Sequence, residues 1–152
     1  MDGELRRQTL ADLLHRSAKR FPNKTAIICG DTAWTYATFD AVCNRLATGL
    51  AARGVGKGTR VAILSRNSHA FAALRFALAR LGAVLVPINF MLKAEEAAFI
   101  LRHAGAEMLA TDSGLAEVAG VGLAALGRGD HTGAWDDRAR RTLIQFGRAA
   151  AS

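Results

Sequence analysis

Residues 59–112, TRVAILSRNSHAFAALRFALARLGAVLVPINFMLKAEEAAFILRHAGAEMLATD, change repeatedly between two hydrophobic periods, and no other stretch narrows the fold as much. Residues 60–64, 83–88 and 107–111 are short apolar runs bounded by glycine or polar residues. Each is too short for a stable helix, so strands are predicted there. Between them Phe71, Leu74, Leu78 and Leu81, and then Ala97, Ile100, Leu101 and Ala104, recur at three- and four-residue spacing. That spacing gives each segment one apolar face and predicts two helices. Near-continuous apolar strands alternating with helices imply an α/β fold: parallel strands buried on both faces, flanking helices and right-handed crossovers.

Open parallel sheets hold ligands beyond the carboxyl ends of their strands, where the order of connection reverses. Ser65 to Asn67, Asn89 and Asp112 fall at those ends. The same residues have structural uses. Asn67 or Ser68 can cap the helix that follows, and Asp112 or Ser113 the next. Asn89, two residues after Pro87, is either a turn residue or part of a site, and spacing does not decide between them.

The rest of the chain is read around this unit. Leu10, Leu13, Leu14, Ala18 and Phe21 form an amphipathic helix that starts after Thr9, with Asp12 as its acidic partner, and stops before Pro22. Residues 25–29 predict a strand, Gly30 and Asp31 a turn, and residues 33–35 a short return arm carrying Trp34. A long helix over 36–53, capped by Thr35, presents Phe39, Val42, Cys43, Leu46 and Leu50 as one stripe. Residues 119–133 hold five glycines and read as loop. Residues 135–147, with Asp136 and Asp137 to cap them and Leu143, Ile144 and Phe146 apolar, read as a terminal helix. Two units follow: an αβ part over 1–118 and a glycine-rich tail over 119–152.

With 51% hydrophobic residues in 152, the chain is long enough and apolar enough to bury a core. Its net charge of +7 is concentrated in residues 53–80, which hold six Arg or Lys and no acid. Those bases are spread through a strand and a helix without interleaved aromatics, a solvated face rather than a nucleic-acid surface. Cys29 and Cys43 match no metal-ligand spacing and suit reduced, buried thiols. His15, His69, His103 and His131 are scattered without partners of ligand type. A cytoplasmic chain is expected: the charged start lacks a signal peptide's apolar core, and no stretch reaches the roughly 20 apolar residues that cross a bilayer. Gly54-Val55-Gly56-Lys57-Gly58 is not a phosphate loop, since position 51 is Ala and Gly58, not Ser or Thr, follows Lys57. It leaves a helix and enters a strand, so it predicts a helix stop and turn.

Four segments in order carry a family resemblance: TLADLLHRSAKRFPNKTAIICGD from residue 9, WTYATF from 34, GLAARGVGKGTRVAILSRNS from 49 and LARLGAVLVPIN from 78. Together residues 9–118 resemble the amino-terminal part of the AMP-forming acyl-CoA synthetases, the adenylate-forming family. The resemblance implies the start of the family's large layered N-terminal domain. Two positions depart from the pattern. Thr38 stands where the first motif has an acid that would close a capping box with Thr35, and Thr59 stands where the family has Asp.

The resemblance further implies ATP-dependent activation of a carboxylic or fatty acid to an acyl-adenylate and then an acyl-CoA, with ATP, Mg and CoA as the complete family's cofactors. Its phosphate-gripping loop, adenine motif, ribose-binding Asp and catalytic Lys match nothing here, so no catalytic, cofactor-binding or metal residue carries over and no cofactor is expected for this chain alone. A truncated acyl-CoA synthetase, inactive by itself, is the first expectation. The alternative is a non-catalytic interaction module that pairs with a separately encoded partner. Either leaves an open sheet edge, expected at residues 83–88, for self-association or a partner chain, unless the tail folds back over it.

Overall fold

The computed structural model describes residues 9–115, 117–121 and 143–146. In chain order the elements are α1 (Leu10–Arg20), β1 (Thr25–Cys29), β2 (Thr32–Thr35), α2 (Tyr36–Ala51), β3 (Arg60–Leu64), α3 (His69–Leu81), β4 (Val84–Ile88), α4 (Ala94–Ala104), β5 (Met108–Asp112), a single 3-10 turn (Ser113–Leu115) and β6 (Leu143–Phe146). Residues 117–121 are helical. The expected loop and helix positions between 122 and 142, and His131, lie outside the described residues.

Helix starts follow local chemistry. The Thr9 hydroxyl accepts from the Asp12 amide at 3.2 Å and the Asp12 carboxylate accepts from the Thr9 amide at 2.9 Å, so two orphan donors of α1 are satisfied reciprocally. Hydrogen bonds from Thr9 hold the fully exposed Asp12 carboxyl below its ordinary value. That support is present at neutral pH and fades as the pH falls through the carboxylate range. Thr35 caps α2 and Ser68 caps α3 by the hydroxyl half of this arrangement alone, accepting from the amides of Thr38 and Phe71. At α4 the Glu96 carboxylate accepts from the Lys93 amide at 2.8 Å. Helix ends use glycine: Gly82 after α3 and Gly105 after α4 take φ of 65° and 60°, a conformation a Cβ would strain. α2 ends at Ala51 rather than Arg53, because the chain turns there and the Val55 amide returns to the Leu50 carbonyl at 3.1 Å.

The main sheet has the order β4-β3-β5-β6, all parallel. β3 pairs with β4 on one side (Val61 opposite Leu85) and with β5 on the other (Val61 opposite Met108). The chain goes from β3 to β4 in one direction and then crosses back over β3 to β5. With right-handed crossovers, that reversal puts α3 and α4 on opposite faces. Two separate apolar clusters result. Val61, Ile63, Met108 and Ala110 pack under α2 and α3 with Leu50, Leu74 and Leu78. Ala62, Leu64 and Leu109 pack under α4 with Leu101, Leu115 and Ala119. A third cluster, Leu14, Phe39, Cys43 and Ala73, seats the β1–β2 hairpin through Ala26, Ile27 and Trp34.

Two expectations are corrected. β4 is not buried on both faces, with Val84 44% exposed, although its edge position is the one the sequence predicts. The tail segment Leu143–Phe146 is a strand, not part of a helix, and it lies on β5 rather than over β4. A four-residue, mostly apolar segment fits either state locally, and here the edge of β5 supplies the backbone partners that decide it.

Truncating the fully buried Ile63 should therefore cost far more than trimming the edge. Ile63→Ala is expected to lower unfolding free energy by about 3 kcal/mol and Val84→Ala by less than about 1 kcal/mol, read from urea unfolding midpoints at unchanged slope.

Candidate functional site

The order reversal between β3 and β5 marks the crevice where a sheet of this type holds a ligand. Its polar residues are occupied. Ser65, 5% exposed, donates through Oγ to the Arg66 carbonyl at 2.8 Å. The Asp112 carboxylate accepts from the Arg66 amide at 3.0 Å and lies 3.9 Å from the Arg66 guanidinium. It ties the β3–α3 loop to the end of β5, a role beyond the helix cap that the sequence offers to Asp112 or Ser113. Ser68, not Asn67, caps α3, its Oγ accepting from the Phe71 amide at 3.1 Å; Asn67 is exposed. Asn89 is a turn residue: its Oδ1 accepts from the Met91 amide at 3.0 Å.

Arg66 links these loops further, its side chain remaining 59% exposed. Its guanidinium lies 5.8 Å from the centre of the Phe90 ring, and a Cβ added at Gly114 would stand 3.0 Å from Nη1. Loops after β3, β4 and β5 thus hold one another and do not aim free groups at a shared point. The glycine-rich turn is equally structural. The Gly58 amide donates to the Gly82 carbonyl at 2.9 Å, and the Thr59 hydroxyl accepts from the Gly56 amide at 3.1 Å. Thr59 therefore supplies an oxygen acceptor within the turn. Thr38 likewise softens its own departure, its hydroxyl accepting from the Thr35 hydroxyl at 3.1 Å.

A second polar group, not anticipated from the sequence, lies between α1, α2 and α3. Arg80 reaches Asp40 through Nη2 and Asn44 through Nη1, and the other Asp40 oxygen lies 3.4 Å from His15 Nδ1. Asp40 and Arg80 are 13% and 15% exposed, and Arg80 Nε is buried without a partner. His15, Asn44 and Arg80 border a shallow groove of about 570 Å³ that Thr9, Asp12 and Gly82 also line. The only local signal was Asp40 and Asn44 four residues apart on one helix face; their partner comes from 36 to 40 residues away. With both terminal guanidinium nitrogens engaged, the cluster clamps helices and offers no nucleophile.

The other candidates are packing groups. His69 stands edge-on to Trp34 at 4.9 Å between ring centres, and His103 stacks on Phe99 at 5.7 Å. Cys43 is fully buried and Cys29 half-buried, both unpaired thiols. Burial pushes the Cys43 thiol up to about 11, with Arg80 pulling down and Asp40 adding to the rise. No group of three or more His, Cys, Asp or Glu able to hold a metal ion occurs among the described residues.

Comparison with known proteins gives a consistent answer. Residues 14–143 match the family described as AMP-binding enzyme. The chain is 47% identical over 79 residues to the long-chain-fatty-acid–CoA ligase FadD13 of Mycobacterium tuberculosis, covering 52% of this chain and 16% of that protein. It is 42% identical over 105 residues to a feruloyl-CoA synthase of an Amycolatopsis species, covering 69% of this chain and 21% of that protein. It thus spans about a fifth of the length of these curated relatives. Among solved structures, the N-terminal domain of FACL13 from M. tuberculosis superposes with a TM-score of 0.76 at 31% identity, over 93% of this chain and 34% of that one.

Two measurements check the structural roles. Asp40→Leu leaves Arg80 buried and unpaired and is expected to cost about 3 kcal/mol of stability, most of it recovered in the double variant with Arg80→Met. At pH 8 a thiol reagent should modify Cys29 in the folded protein and Cys43 only on unfolding. Because the folded Cys43 keeps its proton up to about 11 against an ordinary 9.0, its contribution to stability holds below pH 9 and is lost between 9 and 11.

Proposed function

The chain belongs to the AMP-binding enzyme family, and on that premise we propose that it serves as the amino-terminal αβ scaffold of an acyl-CoA synthetase. The reaction it serves joins a carboxylic or fatty acid to ATP as an acyl-adenylate and then moves the acyl group to CoA. The observation that carries this reading is the match to the FACL13 domain along nearly the whole chain, helices and hairpin included. Relatives that act on a long-chain fatty acid and on ferulate support a carboxylate substrate without choosing its tail. Two unpaired thiols and the lack of a membrane-spanning helix among the described residues support a cytoplasmic setting.

The described residues do not fit an ATP–magnesium site. Clamping a triphosphate needs converging donors and cations at a helix start or a nest of free amides. At the crevice, the Arg66 amide is committed to Asp112 and the Ser65 hydroxyl to a carbonyl. The glycines at 54–58 form a turn that enters a strand, so no helix start faces them. This geometry supports a scaffold that is inactive by itself, with nucleotide chemistry supplied by further sequence of the family domain.

Carboxylate-dependent exchange of labelled pyrophosphate into ATP tests the reading. The purified chain, offered palmitate or ferulate with magnesium, is expected to stay at the level of a protein-free blank. Exchange tenfold above that blank would assign a nucleotide site to this chain and overturn the proposal.

A further inference from the structure

Helix α1 has one face committed and one free. Leu14 and Ala18 are buried, and Leu14 packs with Phe39, Cys43 and Ala73. The Ser17 hydroxyl donates to the Leu13 carbonyl at 2.9 Å and so is satisfied within the helix. On the solvent side Leu13, Arg16 and Arg20 recur at three- and four-residue spacing, and Phe21 follows as the C-cap; all four are exposed. Leu13 is 49% exposed and Phe21 47%, although both are apolar.

Positive charge gathers around those two apolar side chains. The Arg20 guanidinium lies 5.2 Å from the centre of the Phe21 ring and the Lys24 ammonium 5.8 Å from the same centre, so one half-exposed ring carries two cations. No Asp or Glu occurs from residue 13 to residue 30. Among the described residues the ion pairs join His15 and Arg80 to Asp40 and Arg66 to Asp112, and none engages Arg16, Lys19, Arg20 or Lys24. The helix dipole accounts for Lys19 and Arg20 in the last turn, but not for Arg16, a turn earlier, or for Lys24 beyond the cap. Like charges held on one ring repel, and an anionic surface laid over them relieves that repulsion.

We propose that this face, formed by Leu13, Arg16, Arg20, Phe21 and Lys24, docks the chain on an anionic phospholipid surface. The cations meet headgroup anions while Leu13 and Phe21 enter the interface beside them, the combination that holds an interfacial helix on a bilayer. Charge complementarity and shape select this occupant. A convex helix face suits a broad surface rather than one phosphate, which needs donors converging on a point. A nucleic acid would use the cations and stack on Phe21 but leave Leu13 without an apolar partner. A second copy would set these exposed cations against one another. Docking of this kind needs no spanning helix, and it stands independently of the acyl-CoA synthetase reading.

Co-flotation of the full chain with vesicles tests it, since bound protein rises and aggregates sink. With phosphatidylcholine vesicles holding about a quarter phosphatidylserine, in about 50 mM salt, the chain is expected to float, and with phosphatidylcholine alone to stay below. Raising the salt to about 500 mM should lower binding at least tenfold. Arg16→Gln combined with Arg20→Gln should weaken partitioning at least tenfold, and Lys24→Gln or Phe21→Ala about fivefold each. Lys24 lies in a turn outside α1, so its variant leaves the helix intact. Lys57→Gln combined with Arg102→Gln removes as much charge from exposed positions off α1 and should stay within about twofold of the unaltered chain. Equal flotation with neutral vesicles, no flotation at low salt, or equal losses in the two double variants overturns the proposal. So does a single-stranded oligonucleotide that strips the chain from the vesicles at equal phosphate concentration. Flotation is read without turnover, so its failure leaves the pyrophosphate-exchange result untouched.

Discussion

Everything described depends on β3. Val61, Ala62, Ile63 and Leu64 are all fully buried, and alternation sends Val61 and Ile63 into one apolar cluster and Ala62 and Leu64 into the other. The strand is also hydrogen-bonded on both sides, to β4 and to β5. Burying a side chain of this size contributes about 1.5–3 kcal/mol, so these four residues, Ala62 least, hold helices on both faces to one ribbon. The connection that starts from β3 and later crosses back over it is what separates α3 from α4 and opens a crevice between β3 and β5.

That crevice is the position where chemistry would be sought, and the mutual pairing of its polar groups is what turns the functional reading toward scaffold. One carboxylate, Asp112, takes the Arg66 amide, and Arg66 then lies against Phe90 and the backbone at Gly114. A buried or half-buried acceptor next to an amide is satisfied by the nearest donor, so these groups hold loops in register rather than standing ready for a ligand. The clamp of Asp40, Asn44 and Arg80 does the equivalent for the helices, fixing α2 against α3 at low exposure, where an unpaired charge would be costly. Stability and positioning account for these polar residues.

Local chemistry made much of this legible before any coordinates. Thr9 with Asp12, Thr35 and Ser68 read as helix starts because a cap and its amide lie three residues apart. The glycine-rich turn read as a turn because its residues are ordered for leaving a helix. Asn89 stayed open between turn and site, since an Asx turn and a ligand-facing amide look the same in one dimension. Asp112 or Ser113 reads as a cap because the nearest orphan amides in sequence lie just ahead, but a donor that Asp112 takes, Arg66, is 46 residues earlier.

By itself, the sequence determined the element types over residues 10–112, most of the helix caps, the two-faced pattern of β3 and the family resemblance of residues 9–118. All of these rest on interactions within about four residues or on a period that repeats within one element. Only the tertiary structure decided the strand order, the partner of Arg80 and the strand state of Leu143–Phe146. A helix satisfies its backbone internally, whereas a strand or a buried ion pair is completed by a group dozens of residues away, whose identity no local pattern specifies.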